Sequence, residues 1–168
     1  PNSLGFLYAM VTQFLGFRPF HDEGKVMGLA PYGQPNEQIR SKLLREIELK
    51  ADYDVTNITQ VGGNNINEGV QRLEQLFGRQ SKSSPTDFTQ WEKDLAYVVQ
   101  DILEEIILDI VRKYVEITGD RSVGVAGGIA LNCKMNKRLR EASFIEEFKV
   151  QPAAHDGGAI LGAGALSY

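Results

Sequence analysis

The stretch over residues 86–120, TDFTQWEKDLAYVVQDILEEIILDIVRKYVEITGD, constrains the fold more than any other. Leu95, Val98, Val99, Ile102, Ile106, Ile110, Tyr114 and Ile117 recur at helical spacing and trace a wide apolar stripe along one long helix. Gly119 is placed to stop it. Beyond it the pattern alternates. SVGVAG predicts a short buried strand, ALNCKMNKRLREA a helix, FKVQP a second strand and GGAILGAGALSY a last helix. Long helix, strand, helix, strand, helix is the order of a layered α/β lobe, with a mostly parallel sheet covered by helices.

Upstream, NSLGFLYAMVTQFLGF places Leu4, Leu7, Tyr8, Val11, Phe14 and Leu15 at helical spacing, with Asn2 or Ser3 as the cap and Gly16 as the stop. RPFHDEGKVMGLAPYGQP is broken by glycines and prolines and predicts a loop with one helical turn at KVMGLA. NEQIRSKLLREIEL predicts a helix with Ile39, Leu43, Leu44 and Ile47 on one face. ADYDVTNITQVGGNNIN predicts one or two short strands around a turn. EGVQRLEQLFG is a short helix ended by Gly78, and GRQSKSSPTD a polar surface loop.

At 168 residues, 42% of them hydrophobic and 24% charged, the chain has the size and composition of one globular domain or one lobe of a larger one. The formal net charge of −4, with basic residues scattered among acids, argues against a dedicated nucleic-acid binder. No apolar run approaches the roughly 20 residues that cross a bilayer. The single cysteine, Cys133, cannot close an internal disulfide and reads as a small buried hydrophobe, so a cytoplasmic setting is the default. A start at Pro1, directly followed by a helical pattern, suggests a piece of a longer protein.

Three stretches could carry chemistry. In VAGGIALN, Gly127 and Gly128 stand between a predicted strand and a predicted helix. There the backbone either makes a tight turn or comes close to a ligand phosphate or nucleotide sugar, with Asn132 and Lys134 just downstream. In AHDGGA, Asp156 at the mouth of the last helix is a helix cap or a hard oxygen donor for a metal, with glycines leaving room. In FHDEGKVMGLAPYG, Lys25 could reach a phosphate, whereas a solvated charge cluster explains the same residues; the apolar, glycine-rich run after the charges implies a loop folded back over something. Zinc-type Cys/His spacing and a Ser/His/Asp arrangement are both missing.

Taken together and in this order, EGKVMGLAPYG, VAGGIALNCKMNKRL and VQPAAHDGGAILGAGAL resemble the nodulation-protein type of carbamoyltransferase, a family that includes O-carbamoyltransferases of antibiotic biosynthesis. The resemblance implies one lobe of an actin, sugar-kinase and heat-shock-ATPase-like (ribonuclease H-like) fold, in which two lobes close over ATP. It also implies the chemistry: carbamoyl phosphate and ATP give a carbamoyl-adenylate, whose carbamoyl group passes to the hydroxyl of a small molecule. By the same resemblance Gly127 and Gly128 lie against the adenosine with Asn132 close by, Lys25 borders the cleft, and Asp156 is one ligand of an iron-like divalent metal. Two histidines of a His-x-x-x-His motif complete that metal site in relatives. With only His21 and His155 in this chain, they would come from outside it. His155 stands where relatives more often have a small residue and takes no metal role. The first-lobe phosphate hairpin and the carbamoyl-activating domain are also missing, which implies that residues 1–168 are a single α/β lobe, the second, C-terminal half of the transferase domain, as a fragment inactive by itself. The alternatives are a transferase that places threonylcarbamoyl on tRNA and a non-catalytic nucleotide-binding or interaction module.

Overall fold

The computed structural model of the chain describes residues 2–59 and 65–166. They are mixed α/β and mostly helical, in two compact units, Pro1–Ile106 and Ile107–Tyr168.

The first unit is built on α1 (Leu4–Phe14), whose Ser3 hydroxyl accepts from the Phe6 N–H, as a cap at that position should. Eight of the eleven residues of α1 are buried, including Ala9, Met10, Val11 and Thr12, and Gly5, Phe6 and Gln13 are half-buried. One neighbour is α5 (Ile66–Phe77), which ends in the left-handed Gly78 expected from the sequence. A second is the first part of α6 (Gln90–Thr118), which buries Leu95, Val98, Val99, Ile102 and Ile106. Inside this apolar packing the Tyr8 hydroxyl donates to Gln100 Oε1 at 2.9 Å. Phe14, Phe77 and Trp91 form an edge-on aromatic cluster, with the Arg79 guanidinium 4.4 Å from the indole centroid.

Several local expectations change. The KVMGLA region is not a single turn but α2 (Glu23–Leu29) followed by a 3-10 turn (Ala30–Tyr32). The helix from NEQIRSKLL stops early, as α3 (Glu37–Leu43): Leu44 is its partly exposed C-cap, and Ile47 is buried after the helix has ended. Among the described residues the expected strands of ADYDVTNIT reduce to one antiparallel bridge, Glu48 to Asp54, and a four-residue helix, α4 (Thr56–Thr59). β-branched residues favour strands only where a sheet surface receives them; here Val55, Ile58 and Thr59 are buried in a helical unit instead. The rest of that stretch, residues 60–64, lies outside the described residues.

In the second unit β1 (Ser122–Val125) and β2 (Glu147–Val150) pair in parallel, Val125 opposite Val150, and α7 (Cys133–Arg140) joins them and packs on β2. The order follows the expectation; the burial does not. Val123, Val125, Phe148 and Val150 are half-buried, while Ser122, Gly124, Glu147 and Lys149 are exposed. Parallel sheets are normally covered on both faces, and in this pair one face alone is even partly covered. The Glu147–Lys149 ion pair, 2.8 Å, lies on the open face. α8 (Ala159–Leu166) has no buried residue, and Ile160 and Leu166 are 77% and 91% exposed. The stripe of α6 fades in the same way: Ile110 is half-buried, and Tyr114 and Ile117 are exposed. Cys133, expected to be buried, is exposed as the first residue of α7. Among the described residues, the buried ones of this unit are Ala130, Met135, Leu139 and Ala154.

Candidate functional site

Parallel pairing sets β1 and β2 running the same way, so the segments leaving their carboxyl ends emerge at one edge. In open α/β sheets this edge is where ligands bind. The ladder runs one step past the strands, with the Gln151 N–H donating to Val125 O at 3.1 Å, and then both chains turn.

The segment after β1 carries Gly127, at φ +92°, and Gly128, which opens a 3-10 turn (Gly128–Leu131). The segment after β2 carries Ala153, Ala154 and a 3-10 turn (Asp156–Gly158) leading into α8. One bond joins them: the Gly127 N–H donates to Ala154 O at 2.6 Å. Three of the sequence-derived positions, Gly127, Gly128 and Asp156, therefore stand on two segments tied to each other at one sheet edge. Asn132 follows directly. Its side-chain oxygen accepts from the Met135 N–H at 3.0 Å and caps α7, so it fixes the helix that the glycine segment leads into. The Asn136 amide, one turn on, donates to Ala130 O at 2.7 Å and holds the same turn from the other side.

At AHDGGA the structure corrects one expectation. Asp156 does not cap the turn; His155 does, its Nδ1 accepting from the Gly157 N–H at 3.0 Å. Asp156 is the first residue of the turn, and its carboxylate is exposed, with no hydrogen bond or ion pair among the described residues. No group of three or more His, Cys, Asp and Glu side chains able to hold a metal occurs among the described residues. The donor chemistry fits a metal only as one free hard oxygen ligand of a site completed elsewhere.

Gly158 is dictated by contact. A β-carbon there would stand 2.1 Å from Ala153 O, which a backbone oxygen cannot tolerate. Gly158→Ala should push the 153–154 segment away and break the Gly127–Ala154 bond. Because this segment buries little, the expected result is local: faster amide hydrogen exchange at Gly127 on the order of tenfold or more, with the global melting point almost unchanged.

Lys25 belongs to the first unit, on α2. Its ammonium pairs with Asp22 at 3.0 Å and lies 5.9 Å from the Phe17 ring centroid, with the side chain 58% exposed. Asp22 also accepts from the Arg18 N–H and guanidinium. Hydrogen bonding by Arg18 first, and by Lys25 next, holds the Asp22 carboxyl well below the usual carboxylate range. The carboxylate itself is buried, whereas the two cations that pair with it are largely exposed.

The remainder of the KVMGLAPYG region does fold back over something, namely the start of α6. A β-carbon on Gly33 would be 2.0 Å from Lys93 O, the Gln34 N–H donates to Asp94 Oδ1 at 3.0 Å, and Asn36 Nδ2 donates to Asp94 Oδ2 at 3.2 Å. Gln90 Nε2 bridges Asp94 Oδ1 and Tyr32 O. Burial would raise the Asp94 carboxyl, but the bonds from Gln90, Asn36 and Gln34 outweigh it and leave it below its ordinary value. Sequence reasoning missed Asp94. The signal was an acid on the apolar side of the long helix, one residue before Leu95.

The chain belongs to the carbamoyltransferase family: the family model described as Carbamoyltransferase N-terminus matches residues 1–165. It is similar to the Nodulation protein NolNO of Sinorhizobium fredii, 39% identical over 96% of this chain and 22% of the relative. It is also similar to the Nodulation protein NolO of Bradyrhizobium diazoefficiens, 36% identical over 96% of this chain and 28% of the relative. An uncharacterized protein of Synechocystis, sll1178, is 35% identical over 97% of this chain and 27% of its own length. The chain thus spans about a quarter of the length of these curated relatives. No helix among the described residues is long and apolar enough to cross a membrane.

Proposed function

We propose that this chain is part of an ATP-dependent O-carbamoyltransferase, one lobe of an actin, sugar-kinase and heat-shock-ATPase-like fold that works in the cytoplasm. The observation that carries the reading is the 2.6 Å bond from Gly127 N–H to Ala154 O, which joins the two family-like segments at the carboxyl edge of the parallel pair. In this reading the exposed backbone at Gly127 and Gly128 receives the adenosine of ATP, and Asn132, by capping α7, keeps that backbone in place. By the family resemblance Lys25 is a cation for a phosphate group, and binding there would exchange its Asp22 partner for phosphate. Asp156 is one ligand of a divalent, iron-like metal completed by histidines outside this chain. Such a metal would supply Lewis-acid polarisation of a carbamoyl or phosphate oxygen.

Water would first cleave carbamoyl phosphate to carbamate and inorganic phosphate; a carbamate oxygen then attacks the α-phosphorus of ATP, so that the carbamoyl-adenylate forms as the α–β phosphoanhydride bond breaks and pyrophosphate leaves. A hydroxyl of a small molecule then attacks the carbamoyl carbon, the new C–O bond forms as the bond to the adenylate breaks, AMP leaves and the hydroxyl proton is released. The test is transfer of radiolabelled carbamoyl phosphate by the intact protein to a panel of hydroxyl-bearing sugars and metabolites. The expected result is label in a hydroxy compound together with AMP, only when ATP is present. Transfer that ignores ATP, or none to any acceptor, would sink the reading.

A further inference from the structure

We infer that His155 is a positioning residue, whose ring nitrogen sets the place of Asp156 and of the backbone that faces Gly127. The inference rests on Asp156 being a metal donor, as proposed above. His155 is exposed, so burial does not account for it. Its Nδ1 accepts from the Gly157 N–H at 3.0 Å, and its backbone oxygen accepts from the Gly158 N–H at 2.8 Å. Both bonds close on the turn whose first residue is Asp156.

The ring and the next glycine are fitted to each other. A β-carbon on Gly157 would approach the His155 Cε1 at 2.6 Å and Nδ1 at 3.1 Å, so the imidazole lies where any larger residue 157 would stand. Histidine is not among the favoured capping residues, which present a short side-chain oxygen to the second or third N–H. In this turn a ring nitrogen does what an asparagine oxygen does elsewhere. An Nδ1 spent on that bond is not available as a ligand. The residue before it, Ala154, is the one whose carbonyl receives the Gly127 N–H, and it is buried, so His155 begins the exposed part of the segment from a fixed point. With the preceding carbonyl anchored and the following turn capped, the backbone of Asp156 is held on both sides, while its carboxylate makes no hydrogen bond or ion pair among the described residues.

The experiment titrates cobalt(II) into the intact protein and its His155→Leu, His155→Asn and Asp156→Ala variants, reading affinity and the visible absorption band of the bound ion. Leucine keeps side-chain bulk and removes the acceptor; asparagine keeps an acceptor at cap distance. Loss of a cap costs about 1 kcal/mol, so His155→Leu should weaken binding about fivefold and shift the band. His155→Asn should stay within about twofold of the parent protein. Leucine equal to the parent overturns the inference, and so does asparagine as weak as leucine, because the acceptor would then not be what matters. If Asp156→Ala weakens binding while His155→Leu does not, the positioning role alone falls. If Asp156→Ala binds cobalt(II) like the parent, the metal reading falls and takes the positioning role with it.

Discussion

Replacing Gly33 by alanine is expected to destabilise the first unit by about 3 kcal/mol, at the upper end of the usual cost of overpacking. The added β-carbon would sit 2.0 Å from Lys93 O and 2.9 Å from the Asp94 N, both backbone atoms of α6 that cannot step aside as a side chain would. The 3-10 turn carrying Gly33 must therefore retreat. As it does, the Gln34 N–H and the Asn36 amide leave the Asp94 carboxylate, which is 5% exposed and has Gln90 as its other partner. A covered carboxylate losing two of three donors adds its own penalty to the steric one. A fall in melting temperature on the order of 10 °C would follow. Gly28, five residues earlier, is the internal control. A β-carbon there meets nothing within 4 Å, and Gly28 lies inside α2, so Gly28→Ala should be neutral or stabilising by up to about 1 kcal/mol. Thermal melting of the two variants reads the opposite signs directly. Equal effects would mean that the turn does not press on α6.

This pair also shows how far the residues alone could be read. Helical spacing in NSLGFLYAMVTQF and in the long stretch from Thr86 placed both helices, although the second begins only at Gln90, and Gly78 and Gly119 marked real ends. The alternation after Gly119 yielded a parallel pair joined by a helix, since two short β-rich runs separated by a helical pattern have few other ways to combine. KVMGLAPYG could be seen to fold back, but what lay beneath it could not. Gln34 and Asn36 bond to an acid about sixty positions away, and nothing local marks Asp94 as their acceptor.

At the candidate site the glycines and Asp156 were visible as residue types, and the bond between Gly127 and Ala154 was not. It depends on the register of β1 on β2, which sequence periodicity does not encode. Type preference makes Asp156 a candidate cap, and the structure gives the cap to His155, because the ring reaches the Gly157 N–H while the carboxylate, one residue later, has already entered the turn.

Asp156 is where the account is most exposed to test. Its carboxylate is solvent-exposed and makes no hydrogen bond or ion pair among the described residues, so removing it should leave the fold as it is. Any loss on substitution then reports a ligand rather than a structural role. Outer-shell partners of metal ligands typically cost tenfold to a hundredfold, and a direct donor should cost at least the upper figure, about 100-fold. The measurement is isothermal titration of ferrous iron, in the presence of ATP, into the intact protein and its Asp156→Ala variant, with thermal melting run on both. The account predicts unchanged melting and iron binding weaker by about 100-fold or more in the variant; equal iron affinity in the two proteins would contradict it.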